Sequence, residues 1–282
     1  MHPGPVTVIR ASSLPAYTDC PRRAAARMFR AEIMAAGYQL AEPTQGVAAA
    51  IGSAVHAGAA VLLREKAQSG SLPPVDDALD AAVELLVERS AEGLSFDRDT
   101  PTRNDAEKQA IRMTRAYAQD IAPEIEPLMV EDRLEAAYSA EIVLSGQADV
   151  IAREPGRVRD LKTGARRGHH KPQIGAYALL ARTAGLQITE AAEDFIQRVP
   201  LKHDQPPGAT YRHDLAAAES AAVAVLRHIE GDLLTFREGD PARRLLPGDP
   251  WAFSANPNSK LCSAKWCPAF GTDFCREHHS ED

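Results

Sequence analysis

Two acidic residues and a lysine fall within short runs of strand-forming sequence. Asp149 stands in Gly146-Gln147-Ala148-Asp149-Val150, and Asp160 and Lys162 stand in Arg159-Asp160-Leu161-Lys162-Thr163-Gly164. A carboxylate in a half-buried strand is costly unless it is paired or metal-bound. Neighbouring strands lie about 4.8 Å apart, so carboxylates at matched positions can share one ion. Asp160 and Lys162 are two residues apart and share a strand face, and the Leu161 carbonyl can add an oxygen. Hard oxygen donors of this kind suit Mg²⁺ or Mn²⁺. A lysine beside such an ion can orient a water or stabilise developing negative charge. An exposed strand with an alternating Asp/Lys pair has the same spacing.

His56, in Ile51-Gly52-Ser53-Ala54-Val55-His56, can add a nitrogen ligand or be a core histidine held by a backbone bond. Its small neighbours let another element come close. Gln173 and Tyr177 are four apart and face one side of a helix. They read as hydrogen-bonding groups or as an ordinary half-exposed face.

The four cysteines are Cys20, Cys262, Cys267 and Cys275, three of them within the last 21 residues. In a reducing compartment an even number of thiols reads as a metal or cluster site rather than as disulfides. Four thiolates complete a Cys₄ zinc site or hold one [4Fe–4S] cluster, and four unrelated buried thiols are the third reading. Cys20 lies in the polar run Tyr17-Thr18-Asp19-Cys20-Pro21-Arg22-Arg23, and the other three lie near Pro257, Pro268 and Gly271. Such surroundings suit ligands better than core thiols. A shared site would tie the two chain ends together.

The elements that must position these groups follow from periodicity and punctuation. One helix is predicted from Ser12 or Ser13 to about Ala35, with Gly37 as its stop. Further helices are predicted over Val47 to Lys66, over Val75 to Ala91, where Leu79, Val83, Leu86 and Val87 recur at helical spacing, and from Thr102 to near Ile121. The first 120 residues therefore read as almost purely helical. The stretch Leu128–Ala152 is richer in β-branched residues. A turn at Glu154-Pro155-Gly156 precedes a short strand over Val158–Lys162. A helix over Pro172 to Ala184, a strand over Ala192–Val199 and a long helix over Leu215 to Arg237 follow. Pro247–Asp282 reads as irregular. The expected class is α/β. One compact unit is divided into a helical region at 1–125, a sheet-bearing core at 126–240 and a cysteine segment at 241–282.

A chain of 282 residues with 44% hydrophobic and 25% charged residues reads as globular, not as fibrous or disordered. No run of 18 apolar residues suggests a membrane span. Met1–Arg10 lacks a basic stretch followed by an apolar one, so the expected location is cytoplasmic. The net charge of −7 argues at first against nucleic acid. Its distribution argues otherwise. Arg153–Gln173 has seven Lys/Arg against two acids, and Arg10–Arg30 has five Arg against one Asp. Asp76–Asp99 has eight acids against two Arg. Any one such run can be a solvated face. The positive runs carry Asp160, Lys162 and Cys20, so a phosphate backbone would meet positive charge there.

In this order the motifs resemble the PD-(D/E)XK nuclease superfamily, and more closely its RecB/AddB-type branch with an iron–sulfur cluster. That branch includes CRISPR-adaptation nucleases and phage exonucleases. Ser13 to Arg23 resembles the first-cysteine motif, Gly52 to His56 the histidine motif, and Gly146 to Asp149 the first acidic motif. Asp160 to Gly164 resembles the D-x-K strand, and Gln173 to Tyr177 the Q-xxx-Y helix. Two features depart from the pattern. The closing cysteines are spaced C-x₄-C-x₇-C where C-x₂-C-x₅-C is common, and no proline precedes the acidic motif.

The resemblance implies a restriction-endonuclease-like mixed central sheet flanked by helices. It implies that His56, Asp149, Asp160 and the Leu161 carbonyl hold Mg²⁺ or Mn²⁺. Lys162 would activate water, Gln173 and Tyr177 would orient Lys162 and the substrate, and Glu131 or Glu141 would assist. Cys20, Cys262, Cys267 and Cys275 would hold a [4Fe–4S] cluster, with zinc as the other occupant. The implied activity is metal-dependent exonucleolytic hydrolysis of DNA with a free end, in recombination, repair, phage or CRISPR processing. Recombination, helicase or CRISPR-adaptation proteins are the implied partners. A non-catalytic DNA-binding scaffold and a zinc-stapled regulator are the other functions the same chain could serve. No G-x₄-G-K-[ST] run is present, so a helicase would be a separate protein.

Overall fold

The computed structural model describes residues 6–42, 45–153 and 155–276. In chain order the described elements are β1 (Thr7–Arg10), α1 (Leu14–Asp19), α2 (Pro21–Met28), α3 (Arg30–Ala35), α4 (Val47–Ser69), α5 (Val75–Ala91) and α6 (Arg103–Asp120). Then come β2 (Pro127–Val130), β3 (Arg133–Ala137), β4 (Ile142–Gln147), β5 (Val150–Ala152), β6 (Arg157–Gly164), α7 (Lys171–Thr183), β7 (Glu190–Gln197), β8 (Ala209–His213) and α8 (Leu215–Glu238).

The single helix expected up to Ala35 is broken into three, at Cys20 and at Phe29. Proline pushes the residue before it out of the helical region, and Cys20 is extended, with φ −149 and ψ 99. The cysteine thus leaves the helix line while Pro21 opens α2. Two strands, β1 and β8, go beyond the sequence reading. The region read as purely helical therefore contributes β1, which runs parallel to β4. The expected turn at Glu154-Pro155-Gly156 includes Glu154, which lies outside the described residues.

The strands form two mixed sheets, one in the order β1-β4-β3 and one in the order β2-β5-β6-β7-β8. A long antiparallel hairpin joins them. Its arms pair as β3 with β4 in the first sheet and as β2 with β5 in the second. The arms bend at Glu131-Asp132 and at Ala148-Asp149. At the corner the Glu131 N–H donates to the Asp149 carbonyl, at 3.1 Å, and Glu131 takes the left-handed φ of 53°. A non-glycine residue there stores strain, which natural proteins concentrate at functional corners.

Two cores flank the larger sheet. On one side Val130, Val150, Leu161 and Ile196 pack on α4, α5 and α6 through Ile51, Val55, Leu62, Leu86 and Met113. On the other, Ile142, Leu144, Ile151 and Val158 pack with α1, α2, α3, α7, α8 and Phe253 and Phe274 of the C-terminal segment. Each buried Leu, Ile or Phe contributes about 1.5–3 kcal/mol. The α4 helix is apolar and long enough to cross a membrane, with mean hydropathy 1.6, but 61% of that window is buried inside the fold. It is a core helix, and its apolar surface is spent on α5, α6 and the sheet.

Candidate active site

Extending the β5–β6 register of Val150 with Arg159 by one step sets Asp149 across from Asp160. The sheet thus realises the matched carboxylate positions. Period two puts Asp160 and Lys162 on the face toward α7 and sends Arg159 and Leu161 to the α4/α6 face. The buried Arg159 there holds Asp194 through Nε–Oδ2 at 2.9 Å and Nη2–Oδ1 at 2.6 Å. That fork fixes β6 against β7 directly beside Asp160.

Lys162 Nζ lies 2.8 Å from Asp160 Oδ2 and donates to Gln173 Oε1 at 2.9 Å. Gln173 Nε2 in turn reaches the Tyr177 hydroxyl at 2.9 Å and Asp160 Oδ1 at 3.3 Å. The i, i+4 pair on α7 is therefore a hydrogen-bonded brace for the lysine, not a half-exposed face. From the opposite side α4 brings His56, whose Nδ1 is 2.8 Å from Asp149 Oδ1. Asp149 Oδ2 accepts the Leu161 N–H at 2.5 Å. It is the Leu161 amide, rather than its carbonyl, that touches Asp149. Gly52 lets α4 approach this closely, since a Cβ there would lie 2.7 Å from Thr163 Oγ1.

Burial pushes the Asp160 carboxyl up to about 6, with Asp149 adding to the rise and Lys162 opposing it. Burial also works upward on Asp149, but His56, Lys162 and the Leu161 N–H outweigh it and hold that carboxyl below its usual value. Burial works against the His56 cation, and Asp149 reverses this and raises it. Two neighbouring carboxylates of opposite tendency result from their partners, since only Asp149 is hydrogen-bonded by the histidine and by the Leu161 N–H. Burial, then Asp160, raise Tyr177, which stays a phenol.

Of the two candidate glutamates, the fold brings Glu131 to this corner. Its side chain is ion-paired with Arg64 at 2.6 Å. Glu141 lies at the start of β4, 3.7 Å from Arg237. Arg64 escaped the sequence reading, although it lies two helical turns beyond His56 on the same side of α4.

As they stand, both Asp149 oxygens and Asp160 Oδ1 are hydrogen-bonded by neighbours. Among the described residues no three His, Cys, Asp or Glu side chains are set to hold a metal ion. The donor set still suits a hard cation. Asp160 Oδ2 is buried and, although near Lys162, receives no directed hydrogen bond. A cation would satisfy that oxygen and offset the proximity of two carboxylates.

The four cysteines line one small pocket with Arg23, Asn256 and Ser259. Protein contacts already clamp the chain ends there. Arg22 Nε donates to the Phe253 carbonyl at 3.0 Å, and Ser259 Oγ donates to Asp19 at 2.6 Å. Burial, then Cys275 and Cys20, push the Cys262 thiol up, and burial with the other three cysteines does the same to Cys267. A cationic centre would relieve that crowding, and thiolates are the donor type that a cluster or zinc takes, although as they stand the four thiols are not set to hold an ion.

The comparisons accord with this geometry. The family model of the PD-(D/E)XK nuclease superfamily matches residues 9–271. No curated protein matches the chain. Among solved structures, a protein named "Putative exonuclease" from Eubacterium rectale superposes with a TM-score of 0.56 at 10% identity, covering 91% of this chain and 87% of its own. At that identity the likeness shows the fold alone. A phage related exonuclease from Haemophilus somnus 129PT, at 13% identity, covers 69% of this chain and 96% of its own, but its TM-score of 0.24 is too low to bear on the fold. The match of the family model over nearly the whole length, on a fold that assembles the motif residues at one corner, decides the assignment: the chain belongs to the PD-(D/E)XK nuclease superfamily.

Proposed function

We propose that the protein is a Mg²⁺- or Mn²⁺-dependent DNA exonuclease of the RecB/AddB type, acting in the cytoplasm on DNA with a free end, in recombination, repair, phage or CRISPR-adaptation processing. The observation that carries this reading is the convergence of Asp149 from the bend before β5, Asp160 and Lys162 from β6 and His56 from α4 on one corner. A non-catalytic scaffold has no use for a lysine braced by both Asp160 and Gln173.

In this reading Asp149, Asp160, His56 and the Leu161 carbonyl hold the ion. The ion, when bound, lowers the pKa of its water and stabilises charge on the phosphorane. Lys162 holds the attacking water, with its Nζ position set by Asp160 and Gln173. Tyr177 remains protonated and locks Gln173, so the glutamine carbonyl keeps facing the ammonium. Cys20, Cys262, Cys267 and Cys275 hold a [4Fe–4S] cluster that staples the cysteine segment to α1 and α2. Zinc is the alternative occupant, and iron analysis separates the two.

The test is digestion of end-labelled DNA with Mn²⁺ by the wild type and by Lys162→Ala and Asp160→Asn. Each substitution is expected to lower the rate at least about 10²-fold with an unchanged circular dichroism spectrum. Wild-type rates in either folded variant would overturn the assignment.

A further inference from the structure

Beside the catalytic corner, the outer face of the three-stranded sheet is open and positively charged. Its inner face, with Ile9, Ile142 and Leu144, is core. Its outer face carries, by the paired registers, Val8, Arg10, Ser145, Gln147, Arg133 and Glu135. A groove runs over it. The outer section, about 650 Å³, is floored by Val8, Ala16, Ala24 and Met28 and rimmed by Arg10, Arg27 and Arg133. It narrows to a section of about 150 Å³ between Arg10, Arg133 and Gln147 that ends on Tyr177.

Arg10 and Arg133 are exposed, and their side chains have no hydrogen-bond or ion-pair partner among the described residues. The arginines that hold the fold together behave differently. Arg64, Arg157, Arg159, Arg198 and Arg237 each meet a carboxylate. The acid on this face, Glu135, accepts the Ser145 hydroxyl at 3.0 Å. Arg27, at the far end, hydrogen-bonds the Trp266 carbonyl, beside Cys267. By sheet spacing the two unpaired arginines sit about 12 Å apart at Cα, one two-residue step along and two strands across.

We propose that this groove is the track for a single strand of DNA, with Arg10 and Arg133 each gripping a phosphate as the strand leads to or from the catalytic corner. The proposal rests on the nuclease reading and names its substrate form and path. Guanidiniums on the rim match a phosphate backbone. The apolar floor, with Val8 56% exposed, matches unstacked bases, which a single strand presents and a duplex hides. The narrowing toward Tyr177 admits one strand.

The experiment uses the full chain with Arg10→Gln/Arg133→Gln. Binding of a labelled single-stranded oligonucleotide is measured by anisotropy in an Asp160→Asn background, so that the strand stays intact. Hydrolysis of thymidine 5′-(4-nitrophenyl) phosphate, too short to reach the groove, is measured with Mn²⁺ in the otherwise wild-type protein. Each lost phosphate contact lowers the logarithmic salt slope by about 0.7. At 0.1 M salt, relative to 1 M, the double variant should bind about 25-fold more weakly, with a slope smaller by about 1.4. The small ester should be cleaved at the wild-type rate, and Arg10→Lys/Arg133→Lys should keep most of the affinity. Unchanged affinity and slope in the Gln variant would overturn the track. Tighter binding of a duplex, equally weakened by the substitutions, would overturn the single-strand assignment. Loss of binding in a protein whose wild type cleaves neither substrate would leave the track standing and sink the nuclease reading.

Discussion

Gly175→Ala is the substitution whose effect follows most directly from the packing. Gly175 lies on α7 between Gln173 and Tyr177, where the helix rests on α8. A Cβ at this position would stand 1.9 Å from the Ala218 carbonyl oxygen and 2.2 Å from its carbon. Ordinary contact begins near 3.4 Å, so α7 must retreat by about 1.5 Å. The obstacle is backbone inside a helix, which cannot rotate away as a side chain would. Overpacking of this kind costs about 1–3 kcal/mol, and a rigid obstacle places it at the upper end. For a chain of this size about 3 kcal/mol lowers Tm by roughly 6–12 °C. The same retreat draws Gln173 away from Lys162, and a misplacement near 1 Å costs about 10²-fold in rate. The assay pairs thermal melting with Mn²⁺-dependent DNA hydrolysis. Gly231→Ala is the control. It lies within α8, where an added Cβ meets nothing within 4 Å, and should raise stability by about 0.5–1 kcal/mol. A Gly175→Ala protein with Tm within about 2 °C of wild type and full activity would refute the reasoning.

Asp194→Ala removes the partner of the buried Arg159 and should cost about 3–5 kcal/mol, read as a fall in the urea midpoint. A change under about 1 kcal/mol would mean that Arg159 finds water or another acceptor. Glu193, fully buried beside Arg167 and His170, has its carboxyl held below the usual value because His170 and then Arg167 outweigh the burial that would raise it. A lowered folded pKa gives stability that is present above the unfolded value near 4.3 and is lost as pH falls through the folded one. Glu193→Gln should therefore flatten the acid limb of a stability–pH curve below about pH 4, and an unchanged limb would count against this ionisation. On the proposed [4Fe–4S] reading, Cys20→Ser should release iron and the visible absorbance of a cluster, and lower Tm, because it would remove one of four ligands at the junction of the chain ends. Retention of full iron content in that variant would remove Cys20 from the ligand set.

The long, strongly periodic elements were legible in the sequence. The bounds of α5, α7 and α8 fall within about two residues of the pattern reading: α5 and α8 bury an apolar stripe at helical spacing, and α7 is bounded by Pro172 and Gly185 and buried on nearly all sides. The D-x-K spacing put Asp160 and Lys162 on one face through the period of two alone. Cys20 was legible as a ligand candidate, but not the break that frees it, since the weight of Pro21 against an alanine-rich helix depends on what α1 and α2 pack upon. β1 and β8 were not legible. Each is a short strand at a sheet edge, and an edge strand takes its conformation from its partner, β4 or β7, rather than from its own propensity.

By itself, then, the sequence determined which groups are available: two carboxylates, a lysine, a histidine, an amide–phenol pair and four thiols. Those identities, with their local spacing, already select a chemistry. Only the tertiary structure decided which of them meet. Asp149 faces Asp160 because the β5–β6 register, fixed by which face is buried, sets it there. His56 reaches Asp149 across 93 residues of chain because Gly52 lets α4 close on β6. Glu131 rather than Glu141 stands at the corner because the hairpin bends there. Among the described residues no carboxylate is paired with Arg10 or Arg133, which leaves both guanidiniums exposed. Such pairings arise from burial and packing between distant segments, and local sequence carries no record of them.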